Sequence, residues 1–120
     1  MIAAVRLVQI LTPLVDGRIY PMIVRERDDG TPPYIIYQVI STQSDVTNDG
    51  ITGHEWVRMQ IDVYHDDAYQ CTLLANKVIN AINDHIQPSI YDGQQQLYDH
   101  SSDLYRQSID YEFGQTIPTT

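Results

Sequence analysis

Within residues 54–86 the hydrophobic period switches once, from two to about 3.6, with no linker between the two patterns. In HEWVRMQIDVYH, Val57, Met59, Ile61 and Val63 alternate with Trp56, Arg58, Gln60, Asp62 and Tyr64. That is a long strand with one buried and one polar face. From Asp67 onward, Cys71, Leu74, Ala75, Val78, Ile82 and Ile86 recur at spacings of three and four, the stripe of an amphipathic helix. Asp67 is a good N-cap, and Gln70 three residues later completes a capping-box pattern. Asp66 and Asp67 also put negative charge at the positive end of the helix dipole. A sheet face and a helix stripe of matching length bury each other, so this pair forms the core.

A chain of 120 residues makes one domain, residues 1–120, able to bury a core without metals or disulfides. Its single cysteine, Cys71, excludes an internal disulfide framework and makes an intracellular origin the simpler reading. On the apolar stripe, Cys71 reads as a small buried hydrophobe. Seven Lys and Arg against sixteen Asp and Glu give a net charge of −9, which repels phosphate backbones. Arg6, Arg18, Arg25, Arg27, Arg58, Lys77 and Arg106 never cluster beyond a pair, so direct nucleic-acid binding is disfavoured. The first eleven residues lack a basic leader and are too short and interrupted to span a bilayer, so no membrane partner is expected.

In the N-terminal third, Ile2, Val5 and Val8 with Leu7, Ile10 and Leu11 make one broad apolar helix face. Thr12 as N-cap with Pro13 can open a further brief turn, and Asp16-Gly17 supplies a left-handed stop. Arg18-Ile19-Tyr20-Pro21 follows, with Ile23-Val24 as a short edge strand or extended loop. Residues 25–33 are a polar connection, and residues 34–41 (YIIYQVIS) a strand. Its nearly continuous apolar character implies cover on both faces, by helices on one and a second protein chain on the other. Residues 42–53 (TQSDVTNDGITG) are expected to be a long connection, either an arm that orders on a partner or a plain hairpin tip.

Beyond the core helix, Pro88 is a stop and Asp92-Gly93 a turn. Residues 94–100 and 102–113 read as two strands joined at His100-Ser101-Ser102-Asp103, and residues 114–120 as a frayed polar tail. The fold class is α+β, an antiparallel sheet of about four strands with two helices packed on one face.

No motif carries chemistry, so no catalytic, cofactor-binding or metal residue is assigned and an enzyme is not expected. His65-Asp66-Asp67 resembles a ligand cluster, but neighbouring strand residues face opposite ways and the aspartates are explained as helix caps. His54-Glu55 lacks the second histidine that a zinc-protease helix needs. Asp62 and Tyr64 share a polar strand face without forming an acid/base site.

Three successive segments carry a family resemblance: Gly17-Arg18-Ile19-Tyr20-Pro21; Pro33-Tyr34-Ile35-Ile36-Tyr37-Gln38; and Val57-Arg58-Met59-Gln60-Ile61-Asp62-Val63-Tyr64 with its following helix. Together with the closing stretch from Leu104 to Phe113, they resemble the small tail-completion proteins of long-tailed bacteriophages. That family is itself similar to tail-terminator proteins. The resemblance implies a structural virion protein, assembled in the host cytoplasm, that caps the head-proximal end of the tail tube as a hexameric ring and joins it to the head. The implied partners are further copies of the chain, a major tail tube protein, and a head-side neck protein. DNA would pass through an acidic lumen without specific binding.

On this reading Asp45, Val46, Asn48, Asp49 and Ile51 are the candidates for tube contact. Trp56, Arg58 and Tyr64 are the candidates for the ring interface, as exposed residues on a polar strand face. Three alternatives remain open: another neck or head–tail connector component, a small acidic interaction module, or a ligand-binding domain.

Overall fold

The computed structural model describes the backbone of residues 2–47 and 50–116, and the side chains of 2–43 and 54–116. In chain order come α1 (Ala3–Leu11), a 3-10 turn (Thr12–Leu14), β1 (Ile19–Pro21), β2 (Tyr34–Thr47) and β3 (Gly50–His65). Then follow α2 (Ala68–His85), β4 (Ser89–Asp99) and β5 (Leu104–Thr116). The five strands form one sheet in the order β1-β2-β3-β5-β4. Every pairing is antiparallel except β1 with β2, which is parallel.

The α+β class with two helices on one sheet face is as expected, with one strand more. The extra strand is β1, whose three residues are too few to show a period of two. It sits where Asp16 (φ 51°) and Gly17 (φ 82°) turn the chain through left-handed conformations, the expected stop. Ile23-Val24 is not a strand: Met22 (φ 68°) turns the backbone away after its N–H bonds Tyr37 O at 2.9 Å. Thr12 does not cap the 3-10 turn; its hydroxyl instead donates to Val8 O at 2.6 Å.

The core is the expected pair. Val57, Met59, Ile61 and Val63 of β3 are buried against Cys71, Leu74, Ala75, Val78 and Ile82 of α2. Asp67 caps α2, its Oδ1 accepting from Gln70 N at 2.9 Å. Leu7 and Leu11 of α1 join the same cluster, as do Ile109, Tyr111 and Phe113 of β5. Each such side chain contributes about 1.5–3 kcal/mol by leaving water. Tyr111 keeps its hydroxyl satisfied inside, donating to Asn83 Oδ1 at 2.9 Å.

Three boundaries are corrected. Residues 42–47 and 50–53 are strand, not loop: β2 and β3 stay paired to Val46↔Ile51 and Thr47↔Gly50, with bulges between Val39 and Ser41 and between Ser44 and Val46. Backbone ladder bonds need no apolar side chains, so small polar residues continue the strands. Asp92-Gly93 is not a turn but a bulge inside β4, which starts at Ser89. Gly114, Gln115 and Thr116 are not a frayed tail; they pair with Trp56, Glu55 and His54. Residues 117–120 lie outside the described residues.

Candidate assembly surface

With both helices on one face, the other sheet face carries every second strand residue. Its ladder rungs set Tyr34, Ile36, Gln38, Ser41 and Gln43 of β2 beside Tyr64, Asp62, Gln60, Arg58 and Trp56 of β3. Beyond them on β5 stand Arg106, Ser108, Asp110 and Glu112. This face has three zones.

The first zone is closed. Tyr34 stacks on Tyr64 with ring centroids 4.9 Å apart, and Leu104 completes the cluster with Tyr20, Val24 and Ile36 packed against it. The Tyr20 hydroxyl donates to Asp29 O at 2.7 Å, tying the polar connection down beside them. The expected exposure of Tyr64 is therefore overturned: it is 8% exposed, because Tyr34 and Leu104 cover it. Burial also pushes its hydroxyl up to about 12.

The second zone is ionic. Arg106 approaches Asp62 Oδ2 at 3.3 Å, and Gln60 Nε2 donates to both carboxylate oxygens at 2.9 and 3.1 Å. Asp62 is consequently buried without being unpaired.

The third zone is open. Trp56 and Arg58 line a polar hollow of about 240 Å³ with Ser41, Gln43 and Glu112. Arg58 reaches Asp92 Oδ2 at 3.9 Å. Glu112 is held above the ordinary carboxyl range, first by its hydrogen bond to Asp92, then by desolvation and the Asp92 charge. Of the three ring-interface candidates, Trp56 and Arg58 come together here, while Tyr64 lies in the closed zone. The side chains of Asp45, Val46, Asn48, Asp49 and Ile51 lie outside the described residues.

The sheet's two edges differ. Among the described residues β1 covers β2 only at Ile35, Ile36 and Tyr37, so β2 is open from Gln38 onward. Val39 (49%) and Ile40 (46%) stand exposed there. Next to this edge, Ala4, Val5, Val8, Gln9 and Tyr37 line a largely apolar hollow of about 320 Å³. At the far edge, among the described residues, β4 pairs only with β5 and exposes Ile90, Tyr91, Leu97 and Tyr98. Sequence reasoning missed the β4 edge. Its signal was GQQQLY, residues 93–98, a charge-free run in a strongly acidic chain.

Among the described residues, no three His, Cys, Asp or Glu side chains converge as a metal site would require. Among the described residues, no helix is long and apolar enough to cross a membrane.

A family model described as Tail completion protein gp17 matches residues 1–115. The chain belongs to the tail completion protein gp17 family. Membership makes it a structural protein of the phage tail, part of the virion. The family match runs from the start of α1 almost to the end of β5, so it takes in the helices, the whole sheet and both edges. No curated protein matches the chain. A chain of the "Virion of native gene transfer agent (GTA) particle" is 13% identical, covers 86% of this chain and 81% of its own length, and superposes with a TM-score of 0.49. The gp17-family assignment rests on the family match alone.

Proposed function

We propose that this protein closes the head-proximal end of the tail tube as a hexameric ring, stopping tube growth and presenting a surface for the head. The action is geometric: the ring covers the surface on which the next tube subunit would dock. One face then meets the major tail tube protein and the other a head-side neck protein, with DNA passing through a lumen lined by Asp and Glu. Assembly takes place in the host cytoplasm before the tail joins the head.

The observation that carries this reading is the β2–β3 ribbon. Among the described residues, β3 pairs with β5 only from His54 onward, while its Gly50 and Ile51 pair with β2 alone. The protomer is accordingly elongated, 50 × 29 × 24 Å. A ribbon that overhangs its own body suits contact with an adjacent layer, and residues 45–51 at its end are the proposed tube contact, by strand addition. Trp56 and Arg58, at the ribbon's base, are proposed to meet a neighbouring copy, with Tyr64 stiffening the face behind them.

Deletion of residues 45–51 tests the proposal. The shortened chain should fold with an intact helical signal, and phage relying on it should make overgrown tails. Tails of normal length would overturn the reading, and a ring whose lumen proved basic would overturn the DNA-passage part.

A further inference from the structure

We propose that neighbouring copies join edge to edge, with β4 of one copy adding antiparallel to the outer part of β2, beyond Tyr37, in the next. This inference rests on the ring reading and specifies the joint between subunits.

Both edges present unpaired backbone among the described residues, which is a template for another strand. Edges are ordinarily defended by lysine, proline or short length. Here residues 34–43 and residues 93–98 contain no charged residue and no proline, although bulges interrupt β2 at Ile40 and Asp45 and β4 at Asp92. In a chain of net charge −9, two copies repel wherever acid meets acid. Stretches without charge are where self-association is least opposed, and residues 38–43 of β2 and residues 93–98 of β4, between Asp92 and Asp99, are such stretches. The two edges are also apolar: Val39 and Ile40 on one, Ile90, Tyr91, Leu97 and Tyr98 on the other.

Strand direction agrees. β3 runs against β2, β5 against β3, and β4 against β5, so β4 runs opposite to β2. A neighbour standing the same way up therefore brings β4 to β2 in antiparallel sense. Tyr91 and Tyr98 pair with Tyr111 and Tyr105 and so lie on the helix-bearing side. In the joint that side faces the hollow lined by Ala4, Val5, Val8 and Tyr37, which takes an aromatic ring from the neighbour. Because the two edges are different and lie at opposite margins of one sheet, the contact is head-to-tail. Such contacts generate rings when the rotation closes.

The test uses one variant per edge, Ile40→Asp on β2 and Leu97→Asp on β4, with folding checked by circular dichroism. Val39→Asp and Gln95→Asp replace either one that fails to fold. In sedimentation velocity the unaltered chain should self-associate with rising concentration, and each variant should do so at least about tenfold more weakly. An equimolar mixture should form heterodimers and nothing larger, since Ile40→Asp retains an intact β4 edge and Leu97→Asp an intact β2 edge. Variants that assemble like the unaltered chain, or a mixture that stays monomeric, would overturn the joint. So would an unaltered chain that remains monomeric at its highest soluble concentration. The ring reading itself is judged separately, by tail length in the ribbon deletion.

Discussion

Gly114 lies under Pro88 so closely that a Cβ on Gly114 would sit 2.6 Å from Pro88 Cγ, while Gly114 N–H donates to Pro88 O at 3.1 Å. The contact fastens the end of β5 to the connection between α2 and β4. The pyrrolidine ring has little freedom to retreat, so Gly114→Ala should lower stability by about 1–3 kcal/mol, the range for overpacking. Gly30→Ala is the control, because its nearest neighbour, Val24 Cγ1, would be at an ordinary 3.7 Å. Urea unfolding of both variants checks this; equal midpoints would show that the Pro88 contact yields.

Asp62 and Arg106 make the sharpest electrostatic prediction. Arg106→Ala leaves a buried carboxylate held only by Gln60 and uncovers part of the polar face. The Arg106 side chain keeps 29% of its surface in water, so the loss should be about 2 kcal/mol, short of that for a fully buried pair. Adding Asp62→Asn should recover part of it. A double-mutant cycle in urea measures the coupling, and an additive result would mean the pair contributes nothing.

Asp67→Ala removes the acceptor for Gln70 N and should destabilise the fold by about 1 kcal/mol. Asp67→Ser, which keeps an acceptor, should stay within a few tenths of the parent. Thermal melts followed at the helical signal distinguish the two.

Alkaline pH should weaken the fold through three buried acids. Burial pushes the Cys71 thiol from 9.0 to about 11, and the Tyr64 and Tyr111 hydroxyls from 10.0 to about 12. Each holds its proton more tightly folded than unfolded. Their contribution is therefore complete below about pH 9 and lost as pH rises towards 12. Urea midpoints should stay level from neutrality to about pH 9 and then fall, with Cys71→Ala delaying the onset. Native Cys71, whose thiol faces Val63 O at 3.4 Å, should resist maleimide at pH 8 until the protein is unfolded. Rapid native labelling would show that the helix opens.

The core was legible because its side chains repeat. Met59 and Ile61 mark a buried strand face and Val78 and Ile82 a buried helix stripe, each by spacing alone. The ribbon was not legible, because a ladder is held by backbone atoms and Thr42 or Gln43 reads equally well as loop. Tyr64 was misjudged for a different reason. Its cover comes from Tyr34 and Leu104, thirty and forty residues away in sequence, and local alternation carries no information about that. The bulge at Asp92 looked like a turn since Asp-Gly serves both geometries, and only the partner strand decides between them. The placing of Trp56 and Arg58 on the polar face followed from alternation, whereas the β4 edge needed the sheet order, which no single segment encodes.

Ala3 N–H donates to Gln115 Oε1 at 2.9 Å, joining the first turn of α1 to the last rungs of β5 across nearly the whole chain. The fold is thus closed on itself like a bracelet, with this bond at its clasp beside the shared core. Where the clasp sits is arbitrary as far as packing is concerned. A short linker from Thr116 to Ala3, with new ends opened at the turn of residues 100–103, should give a chain of rearranged order and unchanged architecture. The β2–β3 ribbon, at the opposite end of the sheet, would then be untouched by a fusion made at the new ends.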